Sequence, residues 1–377
     1  MRRSPAGGVF QVQTGTPLPY GRPPMSFVRF LHDQAHRPLR LRLATAAAAA
    51  MIATPALAGT ASPPLPGGGE ISVLTYNVHG LPWPLSSGRP TALREIGDEL
   101  SEMRRDHREP DIVLIQEGFT GSVARLIRTS GYAYWAQGPG RSDRVRDPAL
   151  KGAMPKGSVH HPEVGEGWGK FTGAGLYILS NYPIVHVETQ AYKFCAGWDC
   201  LANKGVMLAQ IAIPGLPEPI DVVNTHLNSR HAARVPVSWS IQAYATQVAQ
   251  LRRFIDSRRT AASPLLVGGD FNVKGAPDRY SLLVRDPESY STVSQYCVGA
   301  ASCRVRPFPA DSTPWLDSQD LQAFGGAGGV AVCPTETERM FDGAVEPKLS
   351  DHDGYLVRYR LSWGGGVSPC GGPGGAT

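Results

Sequence analysis

Three features are absent from this sequence of 377 residues, and each absence excludes a class of protein. No two of its six cysteines form a C-x-x-C pair, so a zinc site built on sulfur is not expected. No segment repeats at a fixed period, which argues against a repeat architecture. Apart from one alanine-rich segment near the N-terminus, no apolar run is long enough to cross a bilayer.

The N-terminal 58 residues have the composition of a leader. Residues 26–42 are rich in arginine, and the apolar run 43–58 ends in Ala-Leu-Ala, which is the pattern of a secretory signal peptide. A membrane anchor is the alternative, but the run is short and contains Pro55. We therefore predict cleavage after Ala58 and a secreted or periplasmic protein.

A strong positive charge is also missing once the leader is set aside. The whole chain carries a net charge of +5, and residues 1–58, with seven arginines and one aspartate, carry +6, so the remainder carries −1. A nearly neutral protein has no general electrostatic attraction for nucleic acid. We therefore do not favour nucleic acid as a partner, and we expect a monomer.

The rest of the chain is long enough to form one large core. Residues 59–363 are predicted to be a single catalytic domain, followed by a glycine-rich tail at 364–377. Strand-like and helix-like segments alternate, but the connection at 213–220 is too short for a helical crossover and requires antiparallel pairing. The predicted fold class is α/β, with two packed mixed or antiparallel sheets flanked by helices. The segment 296–340, rich in Cys, Pro and Gly, is predicted to be irregular.

All six cysteines follow the leader, and an even number in an exported chain predicts disulfides. Six cysteines allow many pairings. We favour two local loops, Cys195–Cys200 and Cys297–Cys303, and a third bond, Cys333–Cys370, that would hold the tail.

Polar side chains recur at the ends of five predicted strands. In LLVGGDFNV (265–273), Asp270 and Asn272 are two residues apart and would share one face of a strand. Each such residue alone is more often a turn former, a helix cap or a structural histidine. Their repetition at one kind of position indicates a common site. The candidates are Asn77, Glu117, Asn224, His226, Asp270, Asn272, Asp351 and His352.

These residue types together indicate phosphoryl chemistry at a metal ion. Carboxylate and amide oxygens suit a hard cation, Mg²⁺ or Mn²⁺. Two histidines beside such a cation suit phosphoester hydrolysis, because one can activate water while the other stabilises charge on the phosphate oxygens.

Six short motifs in this order resemble the endonuclease/exonuclease/phosphatase superfamily. They are YNV (76–78), QEGF (116–119), GLYILSNYPI (175–184), NTHL (224–227), GDFN (269–272) and SDH (350–352). The resemblance implies a DNase I-like four-layer sandwich of two sheets between helices. It also implies Mg²⁺-dependent hydrolysis of a phosphoester by a water molecule.

The resemblance assigns roles to individual residues. Glu117 resembles the main metal ligand, with Asn77 beside it, and His226 resembles the histidine that binds the scissile phosphate. Asp270 and Asn272 resemble the pair that orients the water or a second metal and contacts phosphate. In SDH, His352 resembles the general base, and Asp351 resembles a metal ligand or orienting group. Members of the superfamily also carry an aspartate before this last motif, which Asp342 matches only loosely.

The stretch DCLANKG (199–205) bears on the substrate. Asp199 and Lys204 could simply lie in a disulfide-closed turn and at the start of a strand. Their spacing, however, resembles the sphingomyelinase branch of the superfamily. By that resemblance both are catalytic: Lys204 neutralises a phosphate oxygen and Asp199 holds Lys204 in place.

The expected reaction is hydrolysis of sphingomyelin or a related phospholipid to a ceramide-like lipid and phosphocholine. A secreted endonuclease, a phosphomonoesterase and a catalytically inactive binding module of the same fold are the alternatives. A lipid substrate requires exposed apolar side chains at the mouth of the site, for transient contact with a membrane. Candidates are LPWPL (81–85), Trp168, Phe171 and Trp198.

Overall fold

The computed structural model describes residues 67–145, 165–285, 290–306 and 318–364. The predicted leader and all but the first residue of the predicted tail fall outside these ranges, so both stay predictions. Within the ranges, no helix combines the length and apolar character needed to cross a membrane.

The first sheet has seven strands and contains the N-terminal and C-terminal strands of the domain. Its strands are β1 (Gly67–Asn77), β2 (Ile112–Gln116), β3 (Tyr134–Gln137), β4 (Tyr177–Ser180), β10 (Arg304–Val305), β12 (Val330–Met340) and β13 (Gly354–Trp363). Their order is β10-β12-β13-β1-β2-β4-β3. β1 pairs parallel to β2 and antiparallel to β13, so the sheet is mixed.

The second sheet has six strands. They are β5 (Ile184–Ala191), β6 (Gly205–Ile211), β7 (Ile220–His226), β8 (Leu265–Asp270), β9 (Ser291–Thr292) and β11 (Asp320–Gly325), in the order β5-β6-β7-β8-β11-β9. β7 and β8 are parallel, whereas β8 and β11 are antiparallel. β6 and β7 pair antiparallel, as the short link at 213–220 between them requires.

Helices cover the outer faces of both sheets. They are α1 (Arg89–Arg105), α2 (Val123–Ser130), α3 (Val237–Arg258) and α4 (Pro277–Val284). A further helix, α5 (Val293–Gly299), instead contributes Val293 and Cys297 to the apolar core between the two sheets. Apolar residues of α1 and α2 share a core cluster with the first sheet, and those of α3 and α4 share one with the second. A third cluster lies between the sheets. The predicted sandwich of two mixed sheets flanked by helices is therefore confirmed.

The hydrophobic pattern explains these layers. β2 reads IVLIQ without alternation because both of its faces are buried, one against the other sheet and one against helices. In α1, Leu93, Ile96, Leu100 and Met103 recur at helical spacing and are almost fully buried.

Gly268 allows the two sheets to approach each other behind the candidate site. A Cβ atom at this position would lie 2.4 Å from Leu114 Cδ1 of β2 and 2.7 Å from Thr75 Oγ1 of β1. Only glycine fits this approach without displacing these two buried side chains. Gly268, the first glycine of LLVGGDFNV that follows the apolar run, thus brings the end of β8 close to β1 and β2.

Asn224 joins the two sheets by hydrogen bonds. Its Nδ2 donates to the carbonyl oxygens of Ile115 and Tyr177, at 2.9 Å each, and its Oδ1 accepts from Gln116 Nε2 at 2.7 Å. All of these polar groups are buried, so their mutual satisfaction stabilises the sheet contact. Asn224 is therefore a structural link below the site.

The prediction of irregular structure over 296–340 is wrong for the residues of this segment that the structure describes, 296–306 and 318–340. This segment contains most of α5 and all of β10, β11 and β12. Pro334 makes β12 difficult to recognise in the sequence. Proline has no backbone N–H to donate to a neighbouring strand and usually marks the end of a strand. In β12 the register shifts between Pro334 and Glu336, so a bulge accommodates the proline.

Two predicted disulfides, Cys195–Cys200 and Cys297–Cys303, are confirmed. The third pairing involves Cys370, which lies outside the described residues, and it stays a prediction. Cys195–Cys200 closes the 3₁₀ turn Gly197–Leu201, which carries Trp198 and Asp199.

Candidate active site

Strand register brings two of the candidate side chains, His226 and Asp270, together with Asp320 across the second sheet. His226 at the end of β7 is paired with Asp270 at the end of β8, and Asp270 is paired with Asp320 at the start of β11. Directly paired residues project to the same face of a sheet. His226, Asp270 and Asp320 therefore form one row at the edge of the sandwich.

Asp270 is the centre of this row and is almost fully buried. Its Oδ2 accepts a hydrogen bond from Asn77 Nδ2 of the opposite sheet at 2.9 Å and lies 3.2 Å from His226 Nε2 and 3.9 Å from His352 Nε2. Burial alone would raise the pKa of Asp270, but the charges of His226 and His352 hold it well below the usual range. Asp270 therefore remains a carboxylate.

Glu117 follows β2 and approaches the same row from the first sheet. Its Oε1 lies 3.9 Å from His226 Nε2, and its Oε2 is buried without a hydrogen-bond partner among the described residues. The backbone of Glu117 has φ 58°, a left-handed conformation that costs free energy for a residue with a side chain. Such strain is typical of residues that a functional site holds in place.

The donor set fits a hard divalent cation. Glu117, His226 and Asp270 form one group whose possible ligand atoms lie within 4.8 Å of one another, and Asp270, Asp320 and His352 form a second. The Oε2 of Glu117 supplies an oxygen for which the described part of the chain offers no hydrogen-bond donor. Three carboxylates and no thiolate favour Mg²⁺ or Mn²⁺ over a sulfur-bound metal.

His352 is oriented by Asp320. Its Nδ1 lies 3.2 Å from Asp320 Oδ2, and its Nε2 lies 3.2 Å from Gln319 Nε2. If the ring is neutral, an N–H at Nδ1 donates to Asp320 and leaves the lone pair on Nε2. Burial would lower the pKa of His352, but the carboxylates of Asp320 and Asp270 outweigh it and raise the pKa to about 10. A cation bound at Asp270 would offset part of that attraction and favour the neutral ring.

The aspartate that orients His352 is Asp320, which was not among the residues selected from the sequence. Asp342, which matched the expected aspartate loosely, does not have this role. Asp342 lies in the turn after β12, where its Oδ1 accepts the Ala344 N–H. Asp320 lies inside the segment predicted to be irregular, so it was not recognised as a strand-end carboxylate. The available signal was SQDLQAF (318–324), in which serine and aspartate precede a short run with apolar residues at alternate positions.

Asp351 and the two amides have partners that limit their roles. Asp351 Oδ1 lies 3.0 Å from His79 Nδ1, and Asp351 belongs to neither group of possible metal ligands found among the described residues. Burial opposes the shift, but the hydrogen bond from His79 lowers the pKa of Asp351 to about 2. Asn77 Oδ1 accepts the His79 N–H, and Asn272 Nδ2 donates to the Leu227 carbonyl.

His79 links Asp351 to Glu117 and was not recognised in the sequence. Its Nδ1 lies 3.9 Å from Glu117 Oε2 as well as close to Asp351. It is half-buried and has φ 48°, another left-handed conformation at the rim of the site. The SDH motif therefore contacts the Glu117 loop through this imidazole.

Asp199 and Lys204 form a buried ion pair beside the row. Lys204 Nζ lies 2.9 Å from Asp199 Oδ2 and donates to the carbonyl of Leu227, which directly follows His226. Burial would raise the pKa of Asp199, but the Lys204 ammonium and the Ser229 N–H lower it. Two of the three ammonium N–H groups of Lys204 are therefore used, and one has no acceptor among the described residues.

Exposed aromatic side chains flank this ion pair. Trp168, Phe171 and Trp198 are 56%, 63% and 36% exposed, and the two indoles pack edge to face at 5.9 Å. The backbone N–H of Phe171 donates to the carbonyl of Leu201 at the end of the 3₁₀ turn. Trp83 and Leu85, in the loop after β1, are also exposed.

Comparison with known proteins gives relatives and a family. A Mycobacterium tuberculosis protein named sphingomyelinase is 27% identical over 218 residues, which cover 57% of this chain and 36% of that protein. The chain thus spans about a third of the length of that curated relative.

Solved structures share the fold. A beta toxin variant from Staphylococcus aureus with bound magnesium ions matches with a TM-score of 0.52 and 15% identity, over 79% of this chain and 100% of that one. Sphingomyelinase C from Streptomyces griseocarneus matches with a TM-score of 0.50 and 19% identity, over 77% and 99%. The Endonuclease/Exonuclease/phosphatase family model matches residues 74–352, most of the sandwich and every strand-end residue described above. The chain belongs to the endonuclease/exonuclease/phosphatase family.

Proposed function

We propose that the protein is a secreted, Mg²⁺-dependent phosphodiesterase that hydrolyses sphingomyelin or a related phospholipid to a ceramide-like lipid and phosphocholine. The observation that carries the substrate assignment is the buried Asp199–Lys204 pair, whose ammonium has an N–H left for a phosphate oxygen. The likeness to a mycobacterial protein named sphingomyelinase supports it. The leader pattern and two disulfides support action in an oxidising compartment.

In the proposed reaction, His352 acts as general base. Asp320 holds the ring so that the Nε2 lone pair takes a proton from water, and the water oxygen attacks phosphorus. The phosphorus–oxygen bond to the lipid breaks, and the departing lipid oxygen takes up a proton, so one water is added across the bond. Lys204 and His226 offer N–H donors to the phosphate oxygens that bear charge in the transition state.

Glu117 and Asp270 would hold the cation, with Asn77 and Asn272 as further oxygen donors. Such a cation neutralises charge that develops on the phosphate oxygens. Asp351 would act through His79, whose imidazole reaches both Asp351 and Glu117.

An assay on three substrates tests the proposal. The purified protein is incubated with sphingomyelin vesicles, plasmid DNA and p-nitrophenyl phosphate, first with Mg²⁺ and then with EDTA. We expect cleavage of sphingomyelin that EDTA abolishes. Nicking of DNA without lipid cleavage would favour an endonuclease, and cleavage of the monoester alone would favour a phosphomonoesterase.

Lys204→Met is expected to lower kcat by roughly 10²- to 10³-fold, as the loss of one donor to a transition-state oxyanion does. Methionine keeps much of the volume but removes the ammonium. The measurement is steady-state hydrolysis of p-nitrophenylphosphocholine, a soluble ester with the same head group. Lys193→Met, on an exposed lysine outside the site, is the control and should keep full activity. Unchanged kcat in Lys204→Met would remove the basis of the substrate assignment.

Trp168→Ala combined with Phe171→Ala is expected to weaken action on vesicles but not on the soluble ester. Inserting one large apolar side chain into a lipid interface is worth about 1.5 kcal/mol or more, roughly tenfold in binding. Vesicle co-sedimentation and the two hydrolysis rates are compared. Trp135→Ala is the matched control, since Trp135 is 53% exposed but lies within the edge strand β3. Equal vesicle binding by the double variant and the control would exclude this docking surface.

A further inference from the structure

Arg279 is a fully buried arginine in α4, and among the described residues it forms no ion pair with a carboxylate. Burial of a charge without a counter-charge is costly, so such a residue is retained only where its hydrogen bonds matter. Its function is not explained by the catalytic groups assigned above.

The guanidinium of Arg279 binds three backbone carbonyls from two loops. Nη1 donates to the carbonyls of Asn228, at 2.6 Å, and Asn272, at 3.3 Å. Nη2 donates to the carbonyl of Ser229 at 3.2 Å. Asn228 and Ser229 follow His226 at the end of β7, and Asn272 follows Asp270 at the end of β8.

The guanidinium plane is itself fixed by α3. Nη2 also donates to Ser240 Oγ at 3.0 Å, and the guanidinium carbon lies 4.6 Å from the centre of the Tyr244 ring. A planar fork with several donors on a stacked ring has little freedom. The helix layer therefore determines where the two loops lie.

Both loops carry groups of the active site. The Ser229 N–H donates to Asp199 Oδ2, the atom that also binds Lys204. The Asn272 side chain donates to the Leu227 carbonyl, which is also the second acceptor of Lys204. A shift of either loop would therefore move the ammonium or the Asn272 amide.

We propose that Arg279 is a positioning residue, which clamps the loops after β7 and β8 so that Lys204 and Asn272 meet the phosphate in the correct place. This inference rests on the proposed function, because it assigns Lys204 and Asn272 to phosphate binding. Arg279 itself touches no substrate. Lysine cannot replace it, since one ammonium cannot span three carbonyls on two loops.

Arg279→Lys tests the proposal against a purely structural role. Misplacement of catalytic groups by about 1 Å costs on the order of 100-fold in rate, so kcat on p-nitrophenylphosphocholine is expected to fall by that order, and KM is expected to rise because the phosphate is bound less well. Arg252→Lys is the matched control, because Arg252 Nη2 also donates to several backbone carbonyls, those of Leu282, Leu283 and Arg285 at the C-terminal end of α4, away from the site. The control is expected to lower Tm without lowering kcat.

Binding of inorganic phosphate in MgCl₂, measured by isothermal titration calorimetry, gives a readout that does not depend on turnover. We expect weaker phosphate binding in Arg279→Lys than in Arg252→Lys. Equal kcat and equal phosphate affinity in the two variants would overturn the inference. A wild-type protein that binds phosphate but does not cleave the ester would overturn the substrate assignment alone, and phosphate affinity would still decide the role of Arg279.

A second variant keeps the proposal testable if Arg279→Lys does not fold. Ser240→Ala leaves the guanidinium in place but removes one of its anchors. It is expected to lower kcat and phosphate affinity in the same direction by a smaller factor. Wild-type values for both quantities in folded Ser240→Ala, together with an Arg279→Lys variant that does not fold, would assign Arg279 to stability and overturn the positioning role.

Discussion

His352→Ala is expected to lower kcat by roughly 10²- to 10⁴-fold, the range that a general base contributes. The residue joins Asp320 and Asp270 in the row at the end of the second sheet, and no other histidine makes a hydrogen bond to Asp320 in the described residues. KM for p-nitrophenylphosphocholine should change little, since the imidazole acts on water. The measurement is the full saturation curve of purified protein in Mg²⁺.

His186→Ala is the control for this substitution. His186 lies exposed on the edge strand β5, where it contacts Glu188, and its loss should leave kcat unchanged. Circular dichroism must show both variants folded. If His352→Ala retained wild-type kcat while folded, His352 would not be the base, and the role of Asp320 in orienting it would fall with it.

The second large effect is expected at Glu117. Glu117→Gln keeps the shape of the side chain and removes its charge. Loss of a group that only supports a metal ligand lowers metal affinity by roughly 10- to 100-fold. Loss of the ligand itself should lower Mg²⁺ affinity by at least as much. Activity at sub-saturating Mg²⁺ should fall in proportion. Isothermal titration calorimetry with MgCl₂ measures the affinity without reference to turnover.

Thermal unfolding separates this effect from damage to the fold. In the metal-free protein, Glu117→Gln should not lower Tm, because the buried Oε2 has no hydrogen-bond partner within the described ranges that the substitution would remove. The rise in Tm on adding Mg²⁺ should shrink, since a ligand at free concentration L stabilises the folded state by RT ln(1 + L/Kd), which falls when Kd increases. Glu109→Gln, at the Arg104 ion pair, is the matched control. An equal Mg²⁺-induced rise in both variants would exclude Glu117 as a ligand.

Much of the fold could be predicted from the sequence because its patterns are local. The continuous apolar run of β2 and the helical spacing of Leu93, Ile96, Leu100 and Met103 each follow from the burial of a particular face. The short 213–220 link was enough to require antiparallel pairing. Polar residues at strand ends could be recognised as a set because each of them directly follows or precedes a recognisable strand.

Asp320 could not be predicted because the sequence around β11 does not show a clear strand pattern. The sequence before β11 and the sequence of β12 both contain residues that normally interrupt strands. In β12, a bulge next to Pro334 allows the proline to remain within the sheet. The pairing of Asp320 with Asp270 is a contact between segments far apart in the sequence. Without the register, the pattern of SQDLQAF (318–324) predicts at most a short strand and does not identify Asp320 as an orienting carboxylate.

The roles of His79 and Arg279 depend on tertiary contacts. His79 is a single histidine in a loop, and its position between Asp351 and Glu117 follows from where the two loops cross. Arg279 is in the first turn of a short helix, where a charged residue is normally exposed. Arg279 can be buried because backbone carbonyls of two distant loops accept its hydrogen bonds. No pattern in the sequence indicates these contacts.

The most direct measurement of the central claim is hydrolysis of sphingomyelin in H₂¹⁸O with Mg²⁺, followed by mass spectrometry of both products. Attack of water on phosphorus predicts phosphocholine that carries one ¹⁸O atom and a ceramide-like lipid without label, with no label transferred in EDTA. Labelled lipid, or release of unlabelled phosphocholine, would contradict attack at phosphorus by a water that His352 activates.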